Sequence, residues 1–333
     1  MKLFGTITGM LFLIPALLVS CEKVSVFSSE GDTVSLFFDS PAVVPEVDSK
    51  VPVNGEDFPF SPVSYNLGFW LMKKDNVEEP QIMGYSNLKA EYLKADGVNS
   101  WSFYPFGSGV KPVGNLFVMK KRAIDVYAYH PWVAGADDMT AIRFVSGEDD
   151  WMIAQPMKLD ESDTENDIVV PLAFKHLMTC IQVNIKCLYK GSIKVTSMTL
   201  TDEKGRLIPS GTFDCTEPDP DKALKRGAAS STIVLRPDRA LNGQSWVSFY
   251  IMMPSVEGLD LTEKEMRLSF EFNGIKAETD FVIPATMSDS TQEIKEFKRG
   301  YKYIYNLTLD NTIDFIPKGI EPLWTENEIL LPV

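Results

Sequence analysis

The stretch that decides the fold is Ile168–Cys187, IVVPLAFKHLMTCIQVNIKC, the longest strand-like run in a chain of 333 residues. Its apolar face changes phase along the run. Leu172 and Phe174 are the apolar positions of the first half, whereas from Ile181 onward the odd-numbered residues are apolar. Because strand side chains alternate with period two, one strand cannot keep both sets on one face. Two interpretations remain: a bulge near residues 176–179, or a strand that leaves one core and enters another.

We favour the second interpretation, a seam between two β-domains. Short segments with strand-like alternation surround the seam on both sides. The predicted strands include Val34–Phe38, Tyr65–Leu71, Ile124–Ala128, Ile233–Leu235, Val247–Met253, Met266–Phe272 and Tyr301–Leu309. No segment keeps a 3.6-residue apolar period over three turns, so the pattern predicts an all-β protein built of sandwiches. A chain of this length suits two domains of about 150 residues each.

Composition excludes one class of partner. The chain is 44% hydrophobic and 23% charged, which is ordinary for a globular protein. The 46 acidic residues exceed the 32 basic ones, and the net charge is −14. Without a basic cluster, this balance predicts that the protein does not bind nucleic acid.

Residues 1–20 have the pattern of a signal peptide. Lys2 provides a minimal positive start, and the apolar run Leu11–Val19 is too short to span a bilayer. The run ends in Leu-Val-Ser-Cys at residues 18–21, which matches a bacterial lipobox, so Cys21 is the predicted lipidation site. An ordinary secretory signal with a chance cysteine is the alternative. The lipobox interpretation predicts a mature protein anchored to a membrane through lipid.

The predicted domain organisation follows from these features. Residues 21–62 contain a first strand and then a tether with five prolines between residues 41 and 62, which exclude helix and central strand there. Residues 63–165, together with the strand at residues 34–38, are the predicted N-terminal sandwich. Residues 166–333 are the predicted C-terminal sandwich. The acidic segment 160–167, DESDTEND, separates the two.

The sequence nominates no catalytic residue, metal site or cofactor. Its two histidines, His130 and His176, belong to no hydrolase or zinc motif. The acidic segment has the alternate carboxylates of a calcium loop but lacks that loop's glycine and final glutamate. The cysteines after Cys21 show no metal-binding spacing. We therefore predict that the protein is not an enzyme, with glycan hydrolysis left as the residual alternative.

Several motifs together resemble one family. They are the lipobox at Cys21, Asp125–Pro131 (DVYAYHP), Pro171–Met178 (PLAFKHLM), and Gly300–Tyr303 (GYKY) with Ile320 and Trp324. In this order and spacing they resemble the fimbrillins, the lipoprotein pilins of the type V fimbriae of Bacteroidales. The resemblance implies two transthyretin-like β-sandwich domains in tandem, export as a lipoprotein and assembly on the outer cell surface.

The resemblance also implies how subunits join. In fimbrillins a protease removes the lipidated N-terminal piece with the first strand, and the groove left behind accepts a strand from another subunit. An added strand gains ladder hydrogen bonds and burial. Here the removable first strand would carry Val34, Leu36 and Phe38 inward, and the C-terminal donor strand would be Ile329, Leu330 and Leu331. The alternative is that both are permanent strands of a monomeric lipoprotein.

One departure from the family concerns cleavage. Shaft subunits of the family are cut after an arginine, but the first arginine of this chain is Arg122. Lys23 and Lys50 are the only basic residues between Cys21 and Lys73, so Lys50 is the candidate cleavage site. If no cut occurs, the first strand stays in place. The sequence then favours an accessory, tip-like or anchored subunit over a shaft subunit.

The predicted function is therefore that of a fimbrial subunit serving adhesion at the cell outer membrane or fimbrium. Its predicted partners are other fimbrial subunits, the outer membrane through the lipid, and a host or glycan ligand. The alternative is a monomeric surface lipoprotein that binds glycans or host ligands, with Trp70, Trp101 and Trp132 as stacking platforms. Exposure of those tryptophans would distinguish the two.

Overall fold

A computed structural model describes residues 33–43, 64–74, 85–95, 98–105, 111–188, 193–241, 245–276, 280–286, 294–309 and 313–322. The first strands are β1 Thr33–Phe38, β2 Ala42–Val43, β3 Ser64–Lys73, β4 Leu88–Ala95, β5 Val98–Tyr104, β6 Leu116–Met119, β7 Ile124–His130, β8 Ile142–Val145, β9 Met152–Ala154, β10 Met157–Leu159, β11 Ile168–Val170 and β12 Ala173–His176. The remaining strands are β13 Thr179–Cys187, β14 Ile193–Asp202, β15 Ser210–Phe213, β16 Leu224–Arg226, β17 Thr232–Leu235, β18 Arg239–Leu241, β19 Val247–Met253, β20 Met266–Phe272, β21 Ile275–Lys276, β22 Phe281–Val282, β23 Tyr301–Leu309 and β24 Ile313–Pro322. The helices are α1 Pro220–Ala223 and the 3-10 turns Asp163–Glu165 and Leu261–Glu263.

Among the described residues, the strands form five sheets around two clusters of buried side chains. Three sheets enclose the first core: β11-β1-β6, β16-β15-β8, and β2-β12-β9-β7-β3-β4-β5 with β10 beside β7. Two sheets enclose the second core: β19-β13-β23-β24, and β17-β14-β20-β21 with β18 and β22 at its sides. The predicted all-β class is confirmed. Within the described ranges no helix has the length and apolar character needed to cross a membrane.

The deciding stretch does leave one core and enter the other. β12 ends at His176 and β13 begins at Thr179, so two residues separate the strands. Phe174 packs in the first core, whereas Ile181 packs in the second. The change of phase therefore marks a change of core, and the bulge alternative is wrong.

Strand β13 is one of the two interior strands of its four-stranded sheet. It runs antiparallel to β19 and parallel to β23. Its polar side chains Gln182 and Asn184 are also buried, although their alternation predicts an outward face. They are stabilised by each other and by neighbours: Gln182 Nε2 donates to Asn184 Oδ1 at 2.8 Å, and Asn184 Nδ2 donates to Asn306 Oδ1 at 2.9 Å. Buried amides need such partners, since an unpaired one would be costly.

The predicted limit between residues 165 and 166 does not coincide with the division between the two cores. β11 pairs with β1 and β12 pairs with β9, so both strands lie with the first core. β15 pairs with β8, which brings Phe213 and Cys215 back to the first core. The chain therefore crosses between the cores more than once, and alternation within one strand cannot reveal such a return. Division into two domains stays a prediction.

Candidate functional site

The candidate site is β1 together with the groove between β6 and β11 in which it lies. Thr33 stands opposite Met119 in the antiparallel pair with β6. Phe38 stands opposite Val170 in the parallel pair with β11. Because β1 pairs along both edges, its removal would leave both neighbours with unpaired backbone groups.

Alternate side chains of β1 point into the first core, as its sequence predicts. Val34, Leu36 and Phe38 are all buried. Full burial of one such side chain contributes about 1.5–3 kcal/mol. The floor of the groove is therefore apolar, and three inward side chains hold β1 there.

An aromatic slot surrounds Phe38 at one end of the groove. We define the slot by Phe69 of β3 and by Trp101 and Phe103 of β5. The Phe38 ring centroid lies 5.1 Å from that of Phe69, 5.1 Å from that of Phe103 and 6.1 Å from that of Trp101. Aromatic pairs at such distances contribute about 0.5–1.5 kcal/mol each beyond their burial. Phe38 is thus the most specifically held side chain of β1.

Polar contacts fix β1 at its flanks. The Ser35 backbone N–H donates to Asp167 Oδ1 at 2.7 Å. Beyond the strand, Ser40 Oγ lies 2.8 Å from the Tyr92 hydroxyl oxygen, within hydrogen-bond distance. The chain then continues into β2, which pairs in parallel with β12. The segment 33–43 therefore follows the chain of residues 168–174 through two successive pairings.

The outward face of the same sheet is apolar as well. Phe37 is 45% exposed, and Val169 beside it is 59% exposed. Phe117 and Met119 of β6 are also exposed on this face. We call these four residues the outer patch. The outer patch is not evident from the sequence, because apolar residues on both faces of a short strand are also typical of a buried central strand.

The other predicted site residues lie outside the described residues. They are Cys21, Lys50, Ile329, Leu330 and Leu331. Val34, Leu36 and Phe38 are described. Their side chains point together into the first core, against the floor of the groove. Lipidation, cleavage and strand donation therefore stay predictions.

The three tryptophans that were candidates for stacking platforms are buried or half-buried. Trp70 is 1% exposed in the first core. Trp101 and Trp132 are half-buried against the same core. An open platform needs an accessible ring face, so these positions do not favour glycan stacking. Trp246, which no motif of the sequence distinguishes, is 46% exposed.

Both histidines lie at the seam between the cores and are buried. His176 Nδ1 lies 2.6 Å from Asp150 Oδ2, and the Asp150 side chain is fully buried. Burial lowers the pKa of His130 to about 4; the charge of Asp150 opposes this shift and His176 adds to it. Asp150 could not be singled out from the sequence, since nothing in its local context distinguishes it from the other acidic residues, 46 in all. His130, Asp150 and His176 thus form a buried polar cluster at the seam.

The acidic loop is held by its own hydrogen bonds. Asp163 Oδ2 accepts from the Asp160 backbone N–H at 2.8 Å, and the buried Thr164 hydroxyl donates to the Arg122 carbonyl oxygen at 3.0 Å. In the part of the chain that the structure describes, no three His, Cys, Asp or Glu side chains are placed to hold a metal ion. Cys180, Cys187 and Cys215 are buried free thiols.

Several solved structures share the fold of this chain. A candidate cell adhesion protein from Bacteroides ovatus ATCC 8483 has a similar fold, with a TM-score of 0.52 and 15% identity over 90% of this chain and 100% of that chain. A second, from Bacteroides uniformis ATCC 8492, gives a TM-score of 0.52 and 16% identity over 88% and 99% of the two chains. A third, from Bacteroides fragilis NCTC 9343, gives a TM-score of 0.51 and 9% identity over 89% of this chain and 99% of that chain.

Sequence comparison identifies the family. The model of the fimbrillin-like family matches residues 75–322. The chain therefore belongs to the fimbrillin-like family, and the predicted resemblance is confirmed. A comparison with curated proteins gives no match. Family membership supports a fimbrial subunit at the cell surface, with other fimbrial subunits as partners and a structural, non-enzymatic role.

Proposed function

We propose that this protein is an accessory fimbrial subunit, tip-like or membrane-anchored, which joins its neighbours by strand exchange and serves adhesion. Family membership supports the fimbrial part. The observation that carries strand exchange is the position of β1, paired on both edges over an apolar floor. Removal of such a strand creates a groove that another strand can fill with the same pairing.

The accessory role follows from how the groove is filled. No arginine precedes Arg122, so an arginine-specific protease cannot release β1. With β1 in place the groove is occupied and accepts no donor. The subunit can still offer Ile329–Leu331 to a neighbour. A subunit that donates without accepting belongs at an end of a fibre or on its own anchor.

The anchor in this proposal is the lipid on Cys21. The segment between Cys21 and Thr33 would connect β1 directly to the outer membrane. Replacement of Cys21 by Ala should move the protein from the detergent phase to the aqueous phase. Continued partition with membranes would show that the anchor assignment is wrong.

Cleavage after Lys50 is the competing route within the same family. That cut would release residues 33–43, and with them β1 and β2, and would restore an acceptor groove and a shaft role. N-terminal sequencing of protein from cells and from sheared fibres tests this directly. A lipidated chain that begins at Cys21 supports the accessory role, whereas a fibre-borne chain that begins at Val51 overturns it.

A matched pair of variants sharpens this test. Lys50→Gln removes the candidate cleavage site, and Lys23→Gln is the control on the other side of β1. The accessory proposal expects both variants to give the same mature N-terminus as the native protein. Loss of a shorter mature form in Lys50→Gln alone would instead assign cleavage there.

A monomeric surface lipoprotein that binds glycans or host ligands is the second candidate. The firm packing of Phe38 in the aromatic slot favours it, because a permanent strand needs such packing. Electron microscopy of cells with and without the gene separates the candidates. Loss or shortening of fibres without the gene supports the fimbrial role, and unchanged fibres support the monomeric lipoprotein.

A further inference from the structure

The aromatic slot is formed by elements that do not depend on β1. Phe69 belongs to β3, and Trp101 and Phe103 belong to β5, which pairs with β4 in the large sheet of the first core. Trp101 and Phe103 stack on each other at 5.4 Å with 13° between their planes. The backbone of Phe103 is also bonded to Val113, at 2.8 and 3.0 Å. The slot therefore keeps its walls when β1 leaves.

The slot discriminates between side chains at one end of the groove. The three inward side chains of β1 are two aliphatic ones followed by Phe38. The Phe38 ring is inclined by 70° to that of Phe69 and by 48° to that of Phe103, so both contacts depend on its flat shape. A branched aliphatic chain has neither the area nor the ring edge to reproduce them, and a closely packed core does not tolerate the void.

The segment of this chain proposed as donor does not match the slot. Residues 326–333, ENEILLPV, contain no aromatic side chain. Whether this segment lay parallel or antiparallel to the position of β1, an aliphatic side chain would occupy the position of the Phe38 ring. A second copy that offered Ile329–Leu331 would therefore fill the floor but leave the slot partly empty.

We infer that the groove, once β1 is released, selects a strand with an aromatic side chain at the slot end, supplied by a subunit other than a second copy of this chain. The inference rests on strand exchange by the competing route described above, in which β1 is released, and it names the chemistry of the strand that would then fill the groove. It also implies that cleavage after Lys50 would not by itself make the chain a self-polymerising shaft subunit.

Peptide displacement from a nicked protein tests the selection. A site-specific protease sequence is placed between Val43 and Ser64 of the chain from Glu22 to Val333, and the folded protein is cut there. The N-terminal fragment then stays bound by non-covalent contacts alone. Labelled peptides of residues 31–43 compete with it, in native form and as the variants Phe38→Leu, Phe38→Ala and, as the matched control, Phe37→Leu.

The expected order of affinities follows from burial. The native peptide displaces the fragment, Phe38→Leu binds about tenfold more weakly and Phe38→Ala about 100-fold more weakly or worse, because the buried ring is lost. Phe37→Leu stays within about threefold of the native peptide, because Phe37 points away from the core. The peptide of residues 326–333 displaces at least about tenfold less well than the native peptide.

Two variants of that last peptide cover both strand directions. Ile329→Phe and Val333→Phe place a ring at either end of its apolar face, and one of them should gain about tenfold. If residues 326–333 displace the fragment as well as the native peptide does, or if Phe38→Leu has no effect, the groove does not select an aromatic side chain. Strand exchange at the groove is then still supported. If the native peptide itself never displaces the fragment, strand exchange at this groove is wrong and the selection fails with it.

Discussion

Asp150 Oδ2 and His176 Nδ1 lie 2.6 Å apart, both buried, where the chain passes from the first core to the second. His176 is the last residue of β12, and its carbonyl oxygen accepts from Arg299 Nη1 at 3.1 Å just before β23 begins. Arg299 also bonds to Asp221 of the short helix α1. The seam between the cores is thus fixed by polar contacts from distant parts of the chain.

Replacement of Asp150 by Asn should destabilise the protein by about 1–3 kcal/mol, because a buried acceptor paired with His176 becomes a poorer partner. Urea unfolding followed by fluorescence measures the change. Asp137→Asn is the control, since Asp137 is exposed and should change stability by less than about 0.5 kcal/mol. Equal effects of both replacements would contradict a structural role of the seam contact.

The buried His130 should make the protein less stable as the pH falls. Its pKa is lowered to about 4 in the folded protein, against about 6.5 in an unfolded chain. Between these values the unfolded chain binds the proton and the folded chain does not, so stability falls by up to about 1.4 kcal/mol per pH unit.

His130→Gln is neutral at every pH and should lose this component. Urea unfolding at pH 7, 6 and 5 compares the two proteins, and other titrating groups cancel in the difference. The native protein should show the steeper loss of stability below pH 6.5. Parallel pH profiles would show that His130 does not titrate as its burial requires.

Gly68 should not tolerate a side chain. It lies opposite Tyr129 in the pairing of β3 with β7, and an added Cβ would overlap the Tyr129 ring at Cε1 and Cζ. The ring cannot easily move, because its hydroxyl donates to Asn87 Oδ1 at 2.5 Å and accepts from the Val133 N–H at 3.2 Å.

Gly68→Ala should therefore lower the free energy of unfolding by about 1–3 kcal/mol through overpacking. Gly114→Ala is the matched control, because the nearest atom to its added Cβ is the Trp101 carbonyl oxygen at 4.0 Å. Thermal unfolding of the two variants gives the comparison. A Gly68→Ala protein as stable as Gly114→Ala would mean that the Tyr129 ring has room to move.

Arg206 should not be replaceable by Lys. Its guanidinium group bonds to the buried Asp202 at 3.1 and 2.8 Å, bonds to Glu265 as well, and donates to the Gly258 carbonyl oxygen at 2.6 Å. A lysine ammonium lacks the planar fork that reaches all three groups. Arg206→Lys should cost about 1.5–3 kcal/mol.

Arg267→Lys is the control for Arg206→Lys, because the Arg267–Glu203 pair is solvent-exposed on both sides and should contribute less than about 1 kcal/mol.

Acid unfolding gives a second measurement of the contacts of Arg206. Burial raises the pKa of Glu265, but hydrogen bonds from Lys204 and Arg206 outweigh it and lower the pKa to about 2. Stability from Glu265 is present above about pH 4.5 and is lost as the pH falls toward 2. Arg206→Lys should flatten that loss.

Sequence patterns predicted the elements that alternate cleanly. β1, β20 and β23 follow their apolar alternation, and β20 is followed by Asn273 and Gly274, whose φ angles of 52° and 79° give the expected turn. β1 and β20 have one buried face, so period two is visible in the residues alone, whereas β23 also buries Lys302 and Ile304 on its other face.

Other strands could not be predicted because their neighbours decide them. β4, with sequence LKAEYLKA, consists largely of good helix formers, yet it lies between β3 and β5 and pairs with both. β24 contains Pro317, which stands beside a shift of register in the pairing with β23 at Ile304 and Tyr305. Strand propensity is set by such context more than by residue type.

The candidate site also has one part that the sequence predicts and one part that it does not. The inward residues of β1 were visible as an alternation, but the aromatic slot joins β1 to β3 and β5, which no local pattern connects. Asp167 belongs to the acidic segment that separates the two predicted sandwiches, and its bond to the Ser35 N–H depends on the parallel pairing of β1 with β11. Long-range pairings of this kind are the information that a single sequence does not provide.

The parallel pairing of β13 with β23 sets when the protein can fold. Thr179 Oγ1 donates to the Tyr301 carbonyl oxygen across a separation of 122 residues. Until residues 301–309 have been synthesised, β13 lacks one neighbour and offers an open edge that is prone to aggregation. Pairings between distant segments also form slowly. The sheet of the second core can therefore be completed only late in synthesis, after residues 301–309 have left the ribosome.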